Sequence, residues 1–136
     1  MLTAMTSLIG TPAGTLLETL NITVTEASAE RVVATMPVNE TVYQPFGLLH
    51  GGASVALAET VASIGASMVL DLEKQHAVGL EINANHIRAK RSGTVTGVAT
   101  PLHQGRSTHI WQVEIRGEDD KLVCVSRCTL AIIDAA

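Results

Sequence analysis

The sequence predicts an α+β domain in which an antiparallel sheet curls around one long central helix. Three observations predict it. Gly51 to Leu70 is rich in Ala, free of Pro and longer than an ordinary strand, so it reads as one helix. Two strand-like runs precede it and four follow it. Strands that come in a run after the helix favour antiparallel pairing over alternating βαβ units.

Each element has a local reason. Residues 1–13 are small and apolar and end among Gly10, Pro12 and Gly14, which reads as a short helix or an arm. Leu16 to Thr25 alternates well enough for a strand, and Glu30 to Val38 for a second, with a hairpin across Ala27–Ala29. Pro45 and Gly47 make Asn39–Leu49 a loop. After the helix and a polar turn at Asp71–Gln75 come His76–Arg88, Thr94–Leu102, Ser107–Arg116 and Lys121–Ile133 as a meander. Ser92-Gly93, Gln104-Gly105 and Gly117–Asp120 supply the turn chemistry between them. The 136 residues fit one domain, residues 1–136, with a core of its own.

Composition narrows the function. With 9 basic and 13 acidic residues the net charge is −4, which disfavours nucleic acid, whose binding rests on many Lys and Arg at phosphates. The longest apolar stretch is broken by Glu59 and by small polar residues, which disfavours a membrane span. No basic residue precedes Arg31, so a signal peptide's positive start is missing and a cytoplasmic protein is expected. Cys124 and Cys128 share one strand and read as small buried hydrophobes in a reducing compartment. The five His are scattered without ligand spacing, so no metal is expected.

A helix this apolar on every side cannot face water, and one sheet covers only one of its faces. A second subunit is therefore expected to complete the burial. On the helix, Gly52, Ala56, Glu59, Ser63 and Ala66 recur at steps of 4 and 3 and share one stripe. Every neighbour on that stripe is tiny, leaving an open slot around one carboxylate, and no positive charge stands on the helix to pair it. An Arg from another element is the structural alternative to a catalytic Glu59. His50-Gly51-Gly52 opens the helix. Unpartnered backbone N–H groups at a helix start carry the positive dipole end, and Gly lets a substrate oxygen approach them. That is the recipe for an oxyanion hole, with Gly51 the expected donor.

The run from Gln44 through Pro45-Phe46-Gly47-Leu48-Leu49-His50-Gly51-Gly52 to Ser54, with Leu57-Ala58-Glu59, closely resembles the hotdog-fold thioesterases. Gly79-Leu80-Glu81-Ile82-Asn83-Ala84-Asn85-His86 and Pro101-Leu102-His103 extend the resemblance, which runs from about Glu30 to Ile133. Within that superfamily the sequence is most similar to the branch acting on aromatic acyl thioesters, such as 1,4-dihydroxy-2-naphthoyl-CoA and 4-hydroxybenzoyl-CoA. The resemblance implies that the substrate is an acyl-CoA or acyl-carrier-protein thioester, hydrolysed to free acid and thiol. It implies no cofactor, CoA being part of the substrate. Glu59 matches the family's nucleophile or general base, and Gly51 its backbone donor. Gln44 and His50 match the groups that orient the carbonyl, and Ser63 a hydroxyl near the attacking water. In the family these groups meet across a dimer interface, and assembly as a dimer or tetramer is expected here.

The resemblance also implies where CoA lies. The matching positions are Gly79, then His86, Ile87, Arg88 and Ala89, and then His103, Gln104, Gly105, Arg106, Ser107 and Thr108. Arg88, Lys90, Arg91 and Arg106 supply positive charge for phosphates, Lys90 and Arg91 reading better as an exposed strand end. The short N-terminal arm and the Asp71–Gln75 turn differ from what the resemblance leads one to expect, and both regions can border the acyl pocket. Two rival activities remain: a hydratase or dehydratase of the same fold, and a non-catalytic acyl-CoA-binding module.

Overall fold

The computed structural model describes residues 8–136. The first seven residues of the expected N-terminal arm lie outside that range. The order of elements is α1 (Leu16–Leu20), β1 (Thr23–Ala27), β2 (Val32–Pro37), a 3-10 turn at Glu40–Val42, α2 (Gly51–Ser67), β3 (Gln75–His86), β4 (Thr94–Gln104), β5 (Thr108–Gly117) and β6 (Leu122–Asp134). One six-stranded sheet forms in the order β1-β2-β4-β5-β6-β3, every neighbouring pair antiparallel. The long helix α2 touches all six strands, so the sheet wraps around it.

The strands form for the expected reason. In β2, Val32, Ala34 and Met36 are buried and alternate with half-exposed neighbours. In β5, His109, Trp111, Val113 and Ile115 do the same. Trp111 lies across α2 at Gly65, where a β-carbon would stand 2.4 Å from the indole Cη2. Only glycine lets the ring lie so close to the helix, and adding one methyl there overpacks the core by roughly 1–3 kcal/mol. Gly93 at φ +82° and Asp120 at φ 64° turn the chain where the sequence predicts breaks.

Three expectations change. Leu16–Thr25 is not one strand: Leu16–Leu20 is helical, and Asn21 ends that helix in the left-handed conformation at φ 58°. Leu16, Leu17 and Leu20 follow a helical spacing, and Asn tolerates the left-handed terminus better than most residues. The long helix stops at Ser67 rather than Leu70. The four later strands are not a simple meander either. β4, β5 and β6 follow one another, but β3 crosses to the far edge and pairs with β6.

The edge strand β3 is largely open. Val78 and Leu80 are exposed there, Leu80 at 64%. A β-bulge sits at Leu80, since Gly79 pairs Leu130 while Glu81 pairs Thr129. The inward side of α2 is sealed by Leu57, Ala58, Val61, Ala62 and Ala66. Its outer side is not left bare for a partner to cover alone, because the chain's own N-terminal segment and α1 lie across it.

Candidate active site

Glu59 is half-buried on α2 and opens into a cleft of about 580 Å³ between α2 and the N-terminal segment. Gly52, Ala56, Glu59 and Ser63 line it, so the predicted stripe holds for four of its members. Ala66 is fully buried in the core instead. The helix also contributes Val55, Thr60 and Ile64, while Leu8, Pro12, Thr15, Leu16 and Leu17 form the opposite wall. None of those five was singled out from the sequence as a site residue; the i, i+1, i+4 leucines of α1 were the available signal. Among the described residues, Glu59 makes no ion pair and no side-chain hydrogen bond, so no Arg from another element claims it.

Two hydroxyls in this cleft have fixed roles. Thr60 Oγ1 donates to the Ala56 carbonyl at 2.7 Å, and Thr15 Oγ1 donates to the Pro12 carbonyl at 2.7 Å. A carbonyl has no proton to give, so each threonine has spent its only donor there. What both offer a ligand is acceptor lone pairs.

The carboxylate is seated by β3. A β-carbon on Gly79 would lie 2.6 Å from Glu59 Oε2, so Gly79 is the floor on which the carboxylate rests. The resemblance assigned Gly79 to CoA; its nearest side-chain neighbour within the chain is Glu59. On the core side Cys128 feels the same charge. Burial first, and then the negative charges of Glu59 and Glu81, raise its thiol to about 11. Both cysteines are free and buried.

The second group of predicted residues lines a different cleft, of about 280 Å³, formed by Gln44, Leu48, Leu49, Gly51, Ser54, His86, Ile87, Arg88, Ala89 and Val123. Gly51 opens the 17-residue α2, and among the described residues its N–H has no hydrogen-bond partner. The next amide, Gly52, donates to His50 Nδ1 at 2.8 Å. His50 is thus the helix cap, and accepting at Nδ1 puts its ring proton on Nε2, where it can donate outward. Gln44 accepts the Phe46 N–H through Oε1, which leaves its amide NH₂ as the free end. The imidazole of His86 lies against Gly51, where a β-carbon would stand 2.8 Å from Nε2. Backbone bonds from Leu49 N–H to the Lys90 carbonyl and from His50 N–H to the Val42 carbonyl, both 2.8 Å, hold the loop in place.

The two clefts share no residue. Within one chain, Glu59 and Ser63 face one side of α2, while Gln44, Gly51 and His86–Ala89 face another. The turn His103–Thr108 lies elsewhere again. His86 pairs with Cys124 at the start of β6, whereas Thr108 pairs with Ala131 near its end, about 23 Å further along the strand. One protomer therefore does not bring the two predicted CoA segments together. Gln104 there is tied back by its side-chain N–H to the Ala29 carbonyl at 2.8 Å.

Other charges are structural. Lys90, only 21% exposed, pairs with Glu118, which also accepts the Thr94 N–H at 2.9 Å. The Lys90 hydrogen bond, with backbone N–H groups, holds the Glu118 carboxyl down at about 2. Lys90 thus pins the loop after His86–Ala89; it is neither exposed nor at a strand end, because Glu118 draws its side chain in. His109 is buried and accepts the Trp111 indole N–H at 3.3 Å. Burial, and then the nearby His103, lower its pKa. Among the described residues, no three His, Cys, Asp or Glu side chains converge as a metal site, and no helix is long and apolar enough to cross a membrane.

Known proteins share this fold. The thioesterase superfamily model matches residues 46–124, which include Gly51, Glu59, Gly79 and His86–Ala89. The ComA2 protein of Bacillus subtilis, which carries a provisional esterase name, is 56% identical over 119 residues, covering 88% of this chain and 94% of that protein. The 1,4-dihydroxy-2-naphthoyl-CoA hydrolase of Escherichia coli is 48% identical over 120 residues, 88% of each chain. Among solved structures, a variant of a thioesterase from Pseudomonas aeruginosa superposes with a TM-score of 0.87 at 43% identity, covering 90% of this chain and 88% of that one. With the wrapped sheet, the central helix and the Gln44–Glu59 run already in place, the chain belongs to the thioesterase superfamily and is a hotdog-fold thioester hydrolase.

Proposed function

We propose that this protein hydrolyses an acyl-CoA thioester to the free acid and CoA, with an aromatic, hydroxyl-bearing acyl group. The observation that carries this is Glu59, a carboxylate unpaired among the described residues, at the edge of an apolar cleft. The acyl group fills that cleft, and the acceptor oxygens of Thr15 and Thr60 suit a ring hydroxyl. The thioester oxygen takes the free N–H of Gly51, aided by His50 Nε2–H and the Gln44 amide. An oxyanion donor of this kind contributes about 10²–10³ in rate. Glu59 takes a proton from a water that attacks the carbonyl carbon, or attacks it directly to form an acyl anhydride that water then hydrolyses to the free acid; Ser63, one helical turn away, would hold that water. The thiolate of CoA departs and is protonated by solvent. The Gly51 backbone N–H, the named side chains and water carry these steps.

The same reading requires two copies of the chain. Glu59 and the Gln44–Gly51 loop line separate clefts, so the loop that serves one Glu59 comes from a second protomer. The open edge of β3, with Val78 and Leu80 exposed, and the loop tip at Phe46, 83% exposed, are the surfaces such a partner would cover. Two β3 edges pairing about a two-fold axis would extend the sheet and place each loop near the other Glu59. Arg88 beside this second cleft, and Arg106 from a neighbouring subunit, would meet the CoA phosphates. A cytoplasmic site of action is part of the same reading.

His50 weighs against a hydratase. A hydratase needs its imidazole as a base, and here Nδ1 already accepts the Gly52 N–H. The test is thiol release from benzoyl-, 4-hydroxybenzoyl-, 1,4-dihydroxy-2-naphthoyl- and medium-chain acyl-CoAs. Glu59→Ala is expected to lower kcat by about 10²–10⁴ while CoA binding persists. If no substrate releases thiol, or Glu59→Ala keeps the full rate, the reading fails.

A further inference from the structure

We propose that the short helix α1 sets the size of acyl group the enzyme accepts, with Leu16 as the limiting side chain. This rests on the reading that the cleft beside Glu59 receives the acyl group. Four of the seven α2 residues lining that cleft are small, Gly52, Ala56, Thr60 and Ser63, beside Val55, Glu59 and Ile64. A wall of small side chains gives depth but leaves the width to whatever stands opposite, and opposite stand Leu16 and Leu17.

The opposite wall is fixed in place. Gly10 and Val24 exchange two backbone hydrogen bonds, of 2.8 and 2.7 Å, which clasp the segment before α1 to strand β1. Thr11 Oγ1 adds a bond to the Ile22 carbonyl at 2.9 Å, and the Glu18 carboxylate accepts the Gly14 N–H at 2.6 Å. Beyond α1, Asn21 turns the chain and Ile22 is fully buried. Helix α1 is therefore anchored at both ends by groups that do not touch the cleft. Its leucines form a rigid limit rather than a lid.

The two leucines differ in what they support. Leu17 is half-buried and packs against the core, so it belongs to the frame. Leu16 lines the cleft yet is 56% exposed, and little else depends on it. Its size acts on the ligand and barely on the fold.

The experiment compares Leu16→Trp and Leu16→Ala with wild type, using butyryl-CoA and benzoyl-CoA in a thiol-release assay, each protein first checked by its melting temperature. Leu16→Trp is expected to lower kcat/KM for benzoyl-CoA by about tenfold or more relative to its effect on butyryl-CoA. Leu16→Ala is expected to move the benzoyl-to-butyryl ratio the opposite way. Equal effects on both substrates, or none on either in both variants, would overturn the role of α1. That result is distinguishable from failure of the hydrolytic reading, in which wild type releases no thiol or Glu59→Ala is fully active.

Discussion

The Glu59 carboxylate occupies the space that a β-carbon on Gly79 would need, with Oε2 2.6 Å and Cδ 3.0 Å from that position. The central helix and the edge strand thus meet at the proposed reacting group. The bulge at Leu80, one residue on, re-aims the strand at this point.

A methyl at Gly79 should therefore separate stability from activity. The atoms it meets are the far end of a flexible side chain, which can swing aside at little cost to the fold. Gly79→Ala should keep its melting temperature within a few degrees while kcat falls by about 10²-fold, since displacing a reacting group by about 1 Å costs that much. Steady-state kinetics beside a thermal melt decide it; an Ala variant with wild-type kcat would show that the seating is unimportant.

Glu118 gives a pH dependence with a definite sign. Its folded carboxyl lies at about 2, below its ordinary 4.5, because Lys90 and backbone N–H groups stabilise the charged form. A depressed acid contributes stability that is present above about 4.5 and lost as pH falls towards 2. Glu118→Gln should thus melt below wild type at pH 7, and the gap should close as pH drops through that window. Buried His109 acts in the same direction at a higher range. Its lowered pKa means that its contribution is present above 6.5 and declines as pH falls below it. A melting-temperature difference between wild type and Glu118→Gln that stays constant from pH 7 to pH 2 would contradict the ion pair.

Cys128 behaves oppositely. With its thiol raised from 9.0 to about 11, the folded protein prefers the neutral form. Its contribution is complete below pH 9 and is lost as pH rises towards 11. Because the thiolate is the reactive species, an alkylating reagent at pH 8 should modify neither Cys128 nor its equally buried neighbour Cys124 until the protein unfolds. Mass spectrometry of native and denatured samples reads this out, and rapid labelling of native Cys128 would contradict it.

Much of the site was legible because local spacing carries it. The steps of 4 and 3 from Gly52 to Ser63 needed only a helix to become one lining, and the helix was plain from composition. Ala66 keeps the phase of the stripe, only about 20° round from Glu59, but lies further along the axis than Ile64, the last helix residue lining the cleft, and is buried there. Leu16–Leu20 was misread because a five-residue helix leaves too short a pattern to outweigh an apparent alternation. The seating of Glu59 on Gly79 could not be seen at all, since it depends on β3 crossing to pair with β6. The distance between His86–Ala89 and His103–Thr108 was hidden for the same reason: strand register, not sequence proximity, sets it.

The central claim is that Glu59 of one subunit works with the Gln44–Gly51 loop of another. Subunit mixing tests it most directly. Glu59→Ala and Gln44→Ala are each prepared alone, then unfolded together in equal amounts and refolded, and thiol release is measured. If the site is shared, each hybrid dimer carries one intact site and one doubly altered site. With half of the dimers hybrid, activity should return to about a quarter of wild type although both parents are deficient. If activity stays at the average of the two parents, Glu59 and Gln44 serve the same site from one chain, and the account is wrong.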